Sequence, residues 1–494
     1  MIVGIDLDNT IINYENSFKK IANSENIKII QKFSKDYIKK KIKEKSNAAW
    51  TIIQGKIYGE KILEANLFKD FKKFLNFAQK NKIKLVIISH RTKYPIKGKK
   101  KNLHLCAKKF IDKNIGKKKF KIKKNLFFEI NLNNKINRIK NNDCDYFIDD
   151  LPKVLNNKNF PKSTEGLLFN SKNKNLRSFN SWKNIINFFE KKIKENKYLD
   201  GKNNKCFSIK NNSIFVKQFC SNKFSDSYQK ELKLSNFLNN NKINEIPKII
   251  NFSNKRKVVK YQFIHNTLLK KINKETILKN FRFIKKINKL KYTKENFEYA
   301  SEFCKNPNKY YKEIYIRISK YKKTLFYKKN KRFKNLINSI EQKFLKLKNA
   351  NYFVNFYNLK KKDLILSPCD FHIKNMIFNK KIYYFDFEYS GLDDPAKLYS
   401  VYFLQPENHV NINLFLSTIN KILFFKKNNS LIKMRIIYLL PIIYLRWSLI
   451  ILNEFNKKKF SYNKNIKELN AQIVKTSIYL KKRINYFNLY KFKN

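Results

Sequence analysis

The first third of the chain alternates short apolar runs with longer stretches in which apolar residues recur at helical spacing. Residues 2–6, 84–89 and 145–149 are short runs rich in β-branched or aromatic side chains, and each run ends on a polar residue. Such runs are typical of strands buried on both faces of a parallel sheet. The sequence between them, with a helical period over 68–81, leaves room for crossover helices. We therefore predict an α/β domain of the Rossmann type.

The pattern changes near residues 198–204. A strand at 166–169 and a helix at 182–196 would complete the first domain, whereas 205–219 indicates two strands joined by a tight Asn-Asn turn. A helix at 228–240 and a strand at 257–264 follow, and after Thr276 the periodicity is mainly helical. We predict two domains, 1–197 (α/β) and 198–494 (α+β).

Polar side chains stand at the ends of the predicted parallel strands. Asp6 and Asp8 follow the first strand in "DLDNT", Ser89 ends the second, and Asp149 with Asp150 ends the third. In open α/β sheets the ligand crevice lies at the carboxyl ends of the strands. The sequence therefore predicts that these residues share one crevice.

The charge of the chain is extreme but uniform. Its 109 Lys and Arg residues against 37 Asp and Glu give a net charge of +72. A nucleic-acid footprint forms a patch or stripe, whereas the lysines here are spread along the whole chain. We therefore expect a solvated basic surface and no nucleic-acid partner.

Cysteine usage and the apolar segments indicate a cytoplasmic location. The six Cys residues are far apart and show no metal-ligand spacing. The N-terminus places two acids where an export signal would be apolar. The most apolar segment, 436–455, contains Pro441 and Arg446, so we expect a pair of buried helices there and no membrane span.

The N-terminal motifs resemble those of the haloacid dehalogenase (HAD) superfamily of phosphohydrolases. "DLDNT", Ser89 in "VIISHR" and the acidic pair of "FIDD" match three of its motifs. The resemblance implies a HAD-like domain in which Asp6 is the nucleophile and Asp8 the acid/base. It also implies that Ser89 contacts phosphate.

The same resemblance implies a lysine and a Mg²⁺ site. Mg²⁺ would bind at Asp6, Asp8, Asp149 and Asp150, and the phosphate-binding lysine would be Lys135, with Lys140 as the alternative. The segment between the first two motifs, residues 12–68, is long enough for a small helical cap.

A second set of polar residues lies in the C-terminal half. Transfer of a phosphoryl group from ATP needs a residue that orients the acceptor hydroxyl, ligands for Mg²⁺, and a cation on the nucleotide phosphates. Asp370 and Asn375 share one loop, and Asp386 follows the next predicted strand. Lys217 in "FVKQF" lies upstream, before a predicted helix bearing Glu231.

This arrangement resembles the aminoglycoside phosphotransferase and choline kinase family, which has a two-lobed, protein-kinase-like fold. The family's HGDxxxxN loop stands here as "SPCDFHIKN", with Pro368 and Cys369 in place of His and Gly, and "FDFEYSGLDDPAK" matches the following segment. The resemblance implies that Asp370 is the catalytic base.

The family resemblance also assigns the cofactor-binding residues. It implies that Asn375 and Asp386 bind Mg²⁺ and that Lys217 with Glu231 secures the ATP phosphates. Gly201 and Asn204 would belong to the phosphate-covering loop, which lacks a GxGxxG.

These motifs predict a bifunctional phosphoryl-transfer enzyme that uses Mg²⁺ and ATP. Its phosphatase domain would act on a phosphomonoester, and its kinase domain on a hydroxyl of a small metabolite such as a sugar or amino alcohol, possible precursors of surface polysaccharide. Two alternatives remain open: a regulatory or binding protein with one inactive domain, and a nucleic-acid end-processing protein. Against the latter, the sequence contains no GxxxxGK[ST] loop.

Overall fold

The fold is that of a computed structural model of the 494-residue chain. The structure describes residues 1–24, 35–116, 125–196, 204–210, 212–220, 226–265, 267–269, 271–293, 296–304, 308–350, 360–424, 429–456 and 466–489.

By their internal contacts the residues divide into two compact units. Unit 1 comprises Met1–Cys220 and Ile250–Phe263, and unit 2 comprises Ser221–Ile249 and Ile264–Asn494. The predicted domain 1–197 falls entirely in unit 1. Residues 198–220 and 250–263, which the sequence assigned to the second domain, also fall in unit 1. The domain boundary at 197/198 stays a prediction, and the division by contacts follows the packing described below.

Unit 1 contains both strands and helices. In chain order its strands are β1 (Ile2–Ile5), β2 (Ile12–Asn13), β3 (Asn66–Leu67), β4 (Lys84–His90), β5 (Leu126–Glu129), β6 (Tyr146–Asp149), β7 (Glu165–Phe169), β8 (Arg177–Phe179), β9 (Asn204–Ile209), β10 (Ile214–Phe219), β11 (Ile249–Ser253, starting one residue before the unit's second segment) and β12 (Val258–Gln262). Its helices are α1 (Glu15–Ser24), α2 (Lys35–Lys45), α3 (Asn47–Tyr58), α4 (Phe71–Lys80), α5 (Leu103–Ile115), α6 (Leu132–Asn141), α7 (Pro152–Leu155) and α8 (Trp182–Asn196).

Six strands form one parallel sheet in the order β5-β4-β1-β6-β7-β8. Alternate residues of β1 enter different cores: Val3 and Ile5 join one apolar cluster, and Ile2 joins another. A sheet with apolar side chains on both faces needs a cover on each face, which the crossover helices supply. The predicted parallel α/β sheet is confirmed.

A helical insertion separates β1 from β4, as the sequence predicts. It consists of α1, α2 and α3, flanked by the antiparallel pair of β2 and β3. Ser46 caps α3 by accepting hydrogen bonds from the N–H groups of Ala48 and Ala49. Phe18 of α1 stacks on Trp50 of α3 with 5.6 Å between ring centroids.

A second sheet in unit 1 has the order β11-β12-β10-β9, and β10 is antiparallel to both β9 and β12. Phe207, Ile214 and Val258 of this sheet belong to the same apolar cluster as Val3 and Ile5 of the parallel sheet. This shared core is the physical reason why strands assigned by sequence to the second domain pack in unit 1.

Asp145, immediately before β6, connects the parallel sheet and the antiparallel sheet of unit 1 through ion pairs. The carboxylate is fully buried and accepts hydrogen bonds from the N–H of Ile2 at 2.7 Å and from Arg256 Nη2 at 3.0 Å. Lys260 Nζ on β12 lies 2.9 Å from Asp145 Oδ1. A buried charge needs such partners because isolated burial is costly. The ion pairs therefore hold β12 against the amino-terminal end of β6.

Unit 2 is mainly helical. Its strands are β13 (Thr267–Leu268), β14 (Ile365–Ser367), β15 (Met376–Asn379), β16 (Lys381–Tyr384) and β17 (Gly391–Asp393). Its helices are α9 (Ser227–Asn240), α10 (Lys274–Ile287), α11 (Asn308–Lys322), α12 (Leu325–Lys329), α13 (Lys331–Asn349), α14 (Pro395–Leu404), α15 (Ile412–Ile422), α16 (Asn429–Ile451), α17 (Ile466–Lys482) and α18 (Ile484–Asn488).

The strands of unit 2 form two small antiparallel sheets, β13-β15-β16 and β14-β17. One large apolar cluster runs from Leu234 of α9 to Phe487 of α18. The predicted helical character after Thr276 is confirmed.

Helix α16 differs from the sequence prediction. The structure forms one continuous helix through Pro441, where we expected two. It is long and apolar enough to cross a membrane by length and composition, yet 67% of its most apolar window is buried within the protein. Its buried Arg435 and Arg446 pair with Asp394 and Glu313, respectively. Packing on most sides of α16 compensates for the hydrogen bond that a proline removes from a helix interior.

Candidate functional sites

The carboxyl ends of β1 and β6 bring Asp6 and Asp149 together beside one lysine. The N–H of Asp6 donates to the carbonyl of Ile148 at 2.8 Å, which fixes the two strand ends side by side. Lys135, on the buried face of α6, donates from Nζ to Asp6 Oδ1 at 2.5 Å and to Asp149 Oδ2 at 2.7 Å. The alternative lysine, Lys140, is exposed on the same helix. The geometry therefore favours Lys135.

The neighbouring carboxylates keep this lysine charged despite its burial. Burial lowers the pKa of Lys135, but the charges of Asp149 and Asp6 more than offset it, so its pKa lies above the ordinary value. Burial raises the pKa of Asp6, and Lys135 opposes that shift. A charged ammonium thus stands between two carboxylates, where it can offset negative charge near Asp6.

Three carboxylates at this edge fit a divalent cation. Oxygens of Asp6, Asp149 and Asp150 lie within 4.8 Å of one another. Mg²⁺ prefers hard oxygen ligands and commonly uses one or two carboxylates together with water or phosphate oxygens. The residues present therefore suit the Mg²⁺ that the sequence predicts.

Asp8 is held by other residues. Its carboxylate is not part of the three-acid group; Ser89 Oγ at the end of β4 donates to Asp8 Oδ2 at 3.3 Å. The structure thus brings Ser89 and Asp8 to the same edge as Asp6. A metal-binding role for Asp8 stays a prediction.

Two residues that the sequence analysis missed complete this edge. Arg91, two residues after Ser89, binds both carboxylate oxygens of Asp8, through Nε at 3.2 Å and through Nη2. Tyr14 donates from its hydroxyl to Asp8 Oδ1 at 2.6 Å. The available signal was weak, namely one arginine after the second motif in a chain rich in basic residues, and a tyrosine six residues after Asp8.

In unit 2 the loop after β14 gathers the predicted kinase residues. Asn375 Nδ2 donates to the backbone carbonyl of Asp370 at 2.8 Å, and the carbonyl of Asn375 accepts from the N–H of Phe385 at 3.2 Å. Asp386, the next residue, adopts a left-handed backbone conformation with φ of 70°. The structure therefore brings Asp370, Asn375 and Asp386 to one place.

One oxygen of Asp370 is already held within unit 2. Gln405 Nε2 donates to Asp370 Oδ1 at 3.3 Å, and His372 Nε2 lies 3.3 Å from the same oxygen. His372 Nδ1 accepts the N–H of Lys374 at 3.2 Å, so the other ring nitrogen carries the hydrogen. His372 therefore supports the loop. Gln405 was not predicted from the sequence.

The residue that replaces the family's glycine keeps the glycine conformation. Cys369 has φ of 63°, in the left-handed region that glycine adopts readily. Its Sγ donates to Asp393 Oδ2 at 3.4 Å, and Lys397 Nζ lies 2.9 Å from that oxygen. Burial, with the negative charge of Asp393, raises the pKa of the Cys369 thiol. The thiol is therefore protonated and acts as a structural donor.

The predicted nucleotide-binding residues are divided between the units. Asn204 begins β9 and Lys217 lies near the end of β10, both in unit 1, and Lys217 Nζ sits 4.8 Å from the ring centroid of Phe219. Glu231, buried on α9, belongs to unit 2. The predicted pairing of Lys217 with Glu231 stays a prediction. Gly201 lies outside the described residues.

Comparison with known proteins gives only distant resemblances. No protein-family model matches the sequence, and no curated protein matches it at the threshold applied.

Among solved structures, an ethanolamine kinase from Plasmodium vivax aligns with a TM-score of 0.38 and 14% identity, over 57% of this chain and 82% of that one. A choline kinase from Streptococcus pneumoniae aligns with a TM-score of 0.35 and 15% identity, over 59% of this chain and 99% of that one. A HAD-superfamily hydrolase from Ehrlichia chaffeensis aligns with a TM-score of 0.26 and 13% identity, over 39% of this chain and 97% of that one. Resemblances this low leave function to the residues and contacts described above.

Proposed function

We propose that the chain is a bifunctional enzyme of small-molecule phosphoryl transfer, with a HAD-type phosphatase site in unit 1 and an ATP-dependent kinase of an alcohol group built on the unit 2 loop. The observation that carries the proposal is the buried Lys135 between Asp6 and Asp149. A structural lysine would need one carboxylate to balance its charge. Here Lys135 contacts two carboxylates, and an oxygen of a third acid, Asp150, lies within 4.8 Å of theirs, an arrangement that suits a divalent cation.

The phosphatase half uses Asp6 as a nucleophile. An oxygen of Asp6 forms a bond to phosphorus while the bond to the leaving oxygen breaks, and water then cleaves the aspartyl phosphate. Lys135 and the Ser89 hydroxyl stabilise charge on the phosphoryl oxygens. Asp8 gives a proton to the leaving oxygen and takes one from water. Mg²⁺, held by Asp6, Asp149 and Asp150, would supply additional positive charge.

The kinase half uses Asp370 to orient a hydroxyl. The hydroxyl oxygen bonds to the γ-phosphorus of ATP, ADP leaves, and the hydroxyl proton passes to Asp370. Gln405 and His372 hold Oδ1 of that carboxylate, which leaves Oδ2 for the acceptor. Asn375 and Asp386 would hold Mg²⁺ in unit 2. Lys217, Glu231, Gly201 and Asn204 stay the sequence-based candidates for securing ATP.

The substrates are proposed as small metabolites in the cytoplasm. A hydroxyl compound such as a sugar or amino alcohol would be phosphorylated, and a phosphomonoester of the same or a neighbouring metabolite would be hydrolysed. Neither a nucleic acid nor a membrane is needed for these reactions.

The phosphatase is tested with p-nitrophenyl phosphate and Mg²⁺. We expect the wild-type protein to hydrolyse it and Asp6→Asn to lose at least about a thousandfold in kcat, because the nucleophile is gone. The Asp370→Asn protein is the matched control and retains phosphatase activity. Hydrolysis that persists in Asp6→Asn would contradict the assignment.

The kinase is tested by ADP release across a panel of sugars and amino alcohols. We expect Asp370→Asn to abolish acceptor-dependent ADP release, with Asp6→Asn as the control. Nucleotide binding without turnover of any acceptor would favour the regulatory alternative. Acceptor-dependent turnover that Asp370→Asn leaves unchanged would place the kinase site elsewhere.

A further inference from the structure

Both carboxylate oxygens of Asp8 are occupied by protein donors. Oδ1 accepts from Tyr14 and from Nη2 of Arg91, and Oδ2 accepts from Nε of Arg91 and from Ser89. A carboxylate offers about four acceptor positions, two on each oxygen. With four donors in place, a substrate can reach Asp8 only after one donor leaves.

The donors on Oδ1 are fixed. Arg91 is 4% exposed, its Nη1 donates to the carbonyl of Leu103 at 3.3 Å, and its Nη2 also donates to the Tyr14 hydroxyl at 2.8 Å. The guanidinium lies 5.4 Å from the ring centroid of Tyr58, whose ring meets Tyr14 edge to face. Burial raises the pKa of Tyr14, so its hydroxyl keeps the proton it donates.

One of the two donors on Oδ2, the Ser89 hydroxyl, is of a different kind from the others. Ser89 Oγ has the longest of the four contacts, 3.3 Å, and its hydroxyl can rotate without moving the backbone. Ser89 is also the predicted phosphate contact. When its hydroxyl turns to a phosphoryl oxygen, one acceptor position on Oδ2 opens on the side where the phosphate lies.

We propose that Arg91 and Tyr14 are positioning residues that hold Oδ1 of Asp8 and so make Oδ2 the atom that exchanges protons during phosphate hydrolysis. This inference rests on the proposed phosphatase. In the first step the bond from phosphorus to the leaving oxygen breaks and that oxygen takes the proton from Oδ2. In the second, water bonds to phosphorus, the bond to Asp6 breaks, and the water proton returns to Oδ2.

If Arg91 and Tyr14 position Asp8, their loss should affect two kinds of substrate unequally, which a purely structural role would not predict. An alkyl phosphate needs a proton on its leaving oxygen, whereas p-nitrophenolate leaves without one. Correctly placed proton transfer is worth about 10²–10⁴-fold in rate. Loss of the Asp8 position should therefore slow an alkyl phosphate far more than an aryl phosphate.

The test compares glycerol 2-phosphate with p-nitrophenyl phosphate, both with Mg²⁺, in the full chain. We expect Arg91→Gln and Tyr14→Phe to lower kcat/KM for glycerol 2-phosphate by at least about tenfold more than kcat/KM for p-nitrophenyl phosphate, because this ratio reports the step in which the leaving oxygen takes its proton. Arg91→Lys should recover part of the loss. Arg177→Gln is the matched control, because Arg177 faces Glu165 at the other end of the sheet.

A double-mutant cycle shows whether the effect passes through Asp8. In an Asp8→Asn background, Arg91→Gln should change kcat/KM for glycerol 2-phosphate by less than about twofold, because the group it positions is already lost. Thermal unfolding of each variant checks folding, and Tyr14→Phe, which deletes one hydroxyl, serves if Arg91→Gln does not fold.

The outcomes separate the two proposals. Equal losses on both substrates, or additive losses in the cycle, would overturn the positioning role and leave the phosphatase standing. A wild-type protein without Asp6-dependent hydrolysis of either substrate would overturn the phosphatase, and the positioning role with it.

Discussion

Lys260 and Asp145 form a buried ion pair, with 2.9 Å between Nζ and Oδ1, that joins β12 to the strand bearing Asp149. The side chains of both residues are almost fully buried. Removing one partner of a buried ion pair leaves the other charge buried without its counterion. The pair therefore makes the antiparallel sheet part of the structural support of the proposed phosphatase site.

The first prediction concerns this pair. Lys260→Met should lower the free energy of unfolding by about 3 kcal/mol, because the buried carboxylate of Asp145 would lose its ion-pair partner at 2.9 Å. Denaturant unfolding of the full chain measures it. Lys73→Met, which removes the exposed lysine that pairs with Asp70, is the control and should cost less than about 1 kcal/mol. Equal effects of the two substitutions would contradict the role of the buried pair.

The second prediction is the pH dependence of the same pair. Burial alone would raise the pKa of Asp145, but the charges of Lys260 and Arg256 outweigh it and leave this pKa below its ordinary value. The carboxylate therefore contributes stability that is fully present above the unfolded-state pKa of about 4 and is lost as the pH falls through the lower folded-state pKa. Below about pH 4 the unfolding free energy should fall more steeply in the wild type than in Lys260→Met. Parallel pH curves for the two proteins would contradict this account.

The third prediction separates the two candidate lysines of α6. Lys135→Met should lower kcat for p-nitrophenyl phosphate by at least about 10²-fold, because the buried ammonium offsets charge beside the nucleophile. Lys140→Met should stay within about twofold, since surface substitutions away from a site are usually small in effect. Steady-state kinetics on both variants measure the difference. The reverse order would move the phosphate contact to Lys140.

The fourth prediction uses the left-handed backbone at Cys369. Cys369→Gly should keep ADP release by the kinase site, because glycine adopts this conformation without strain. Cys369→Val should be destabilised by about 1–2 kcal/mol, because a β-branched side chain is strained there. Thermal unfolding and kinase assays of both variants test this. If the glycine variant alone loses activity, the contact of the thiol with Asp393 has a direct role in the reaction.

Much of the proposed phosphatase site could be predicted from the sequence because its residues follow strands. Short apolar runs locate the strand ends, and parallel strands place their carboxyl ends at one edge, so Asp6, Ser89 and Asp149 were found together. Arg91 and Tyr14 were missed because loops carry them and no periodic pattern fixes where a loop side chain goes.

Long-range packing was the second feature that could not be predicted from the sequence. The grouping of β9, β10 and β12 with the parallel sheet depends on a few apolar side chains and on Lys260, which is one basic residue among 109 in sequence terms. The break expected at Pro441 did not occur, because surrounding packing outweighs a local preference and sequence alone does not measure that packing.

Asp149 lies at the carboxyl end of β6, and Asp145 directly precedes the first residue of this strand. The ion pair of Asp145 with Lys260 holds β6 against the antiparallel sheet, which also contains Lys217. Separation of the chain after residue 197 would leave Asp145 without Lys260 and Arg256. It would also divide the apolar core that the two sheets of unit 1 share. Descendants of this chain that abandon one reaction are therefore expected to do so by substitution of single site residues, and to keep the full length of the polypeptide.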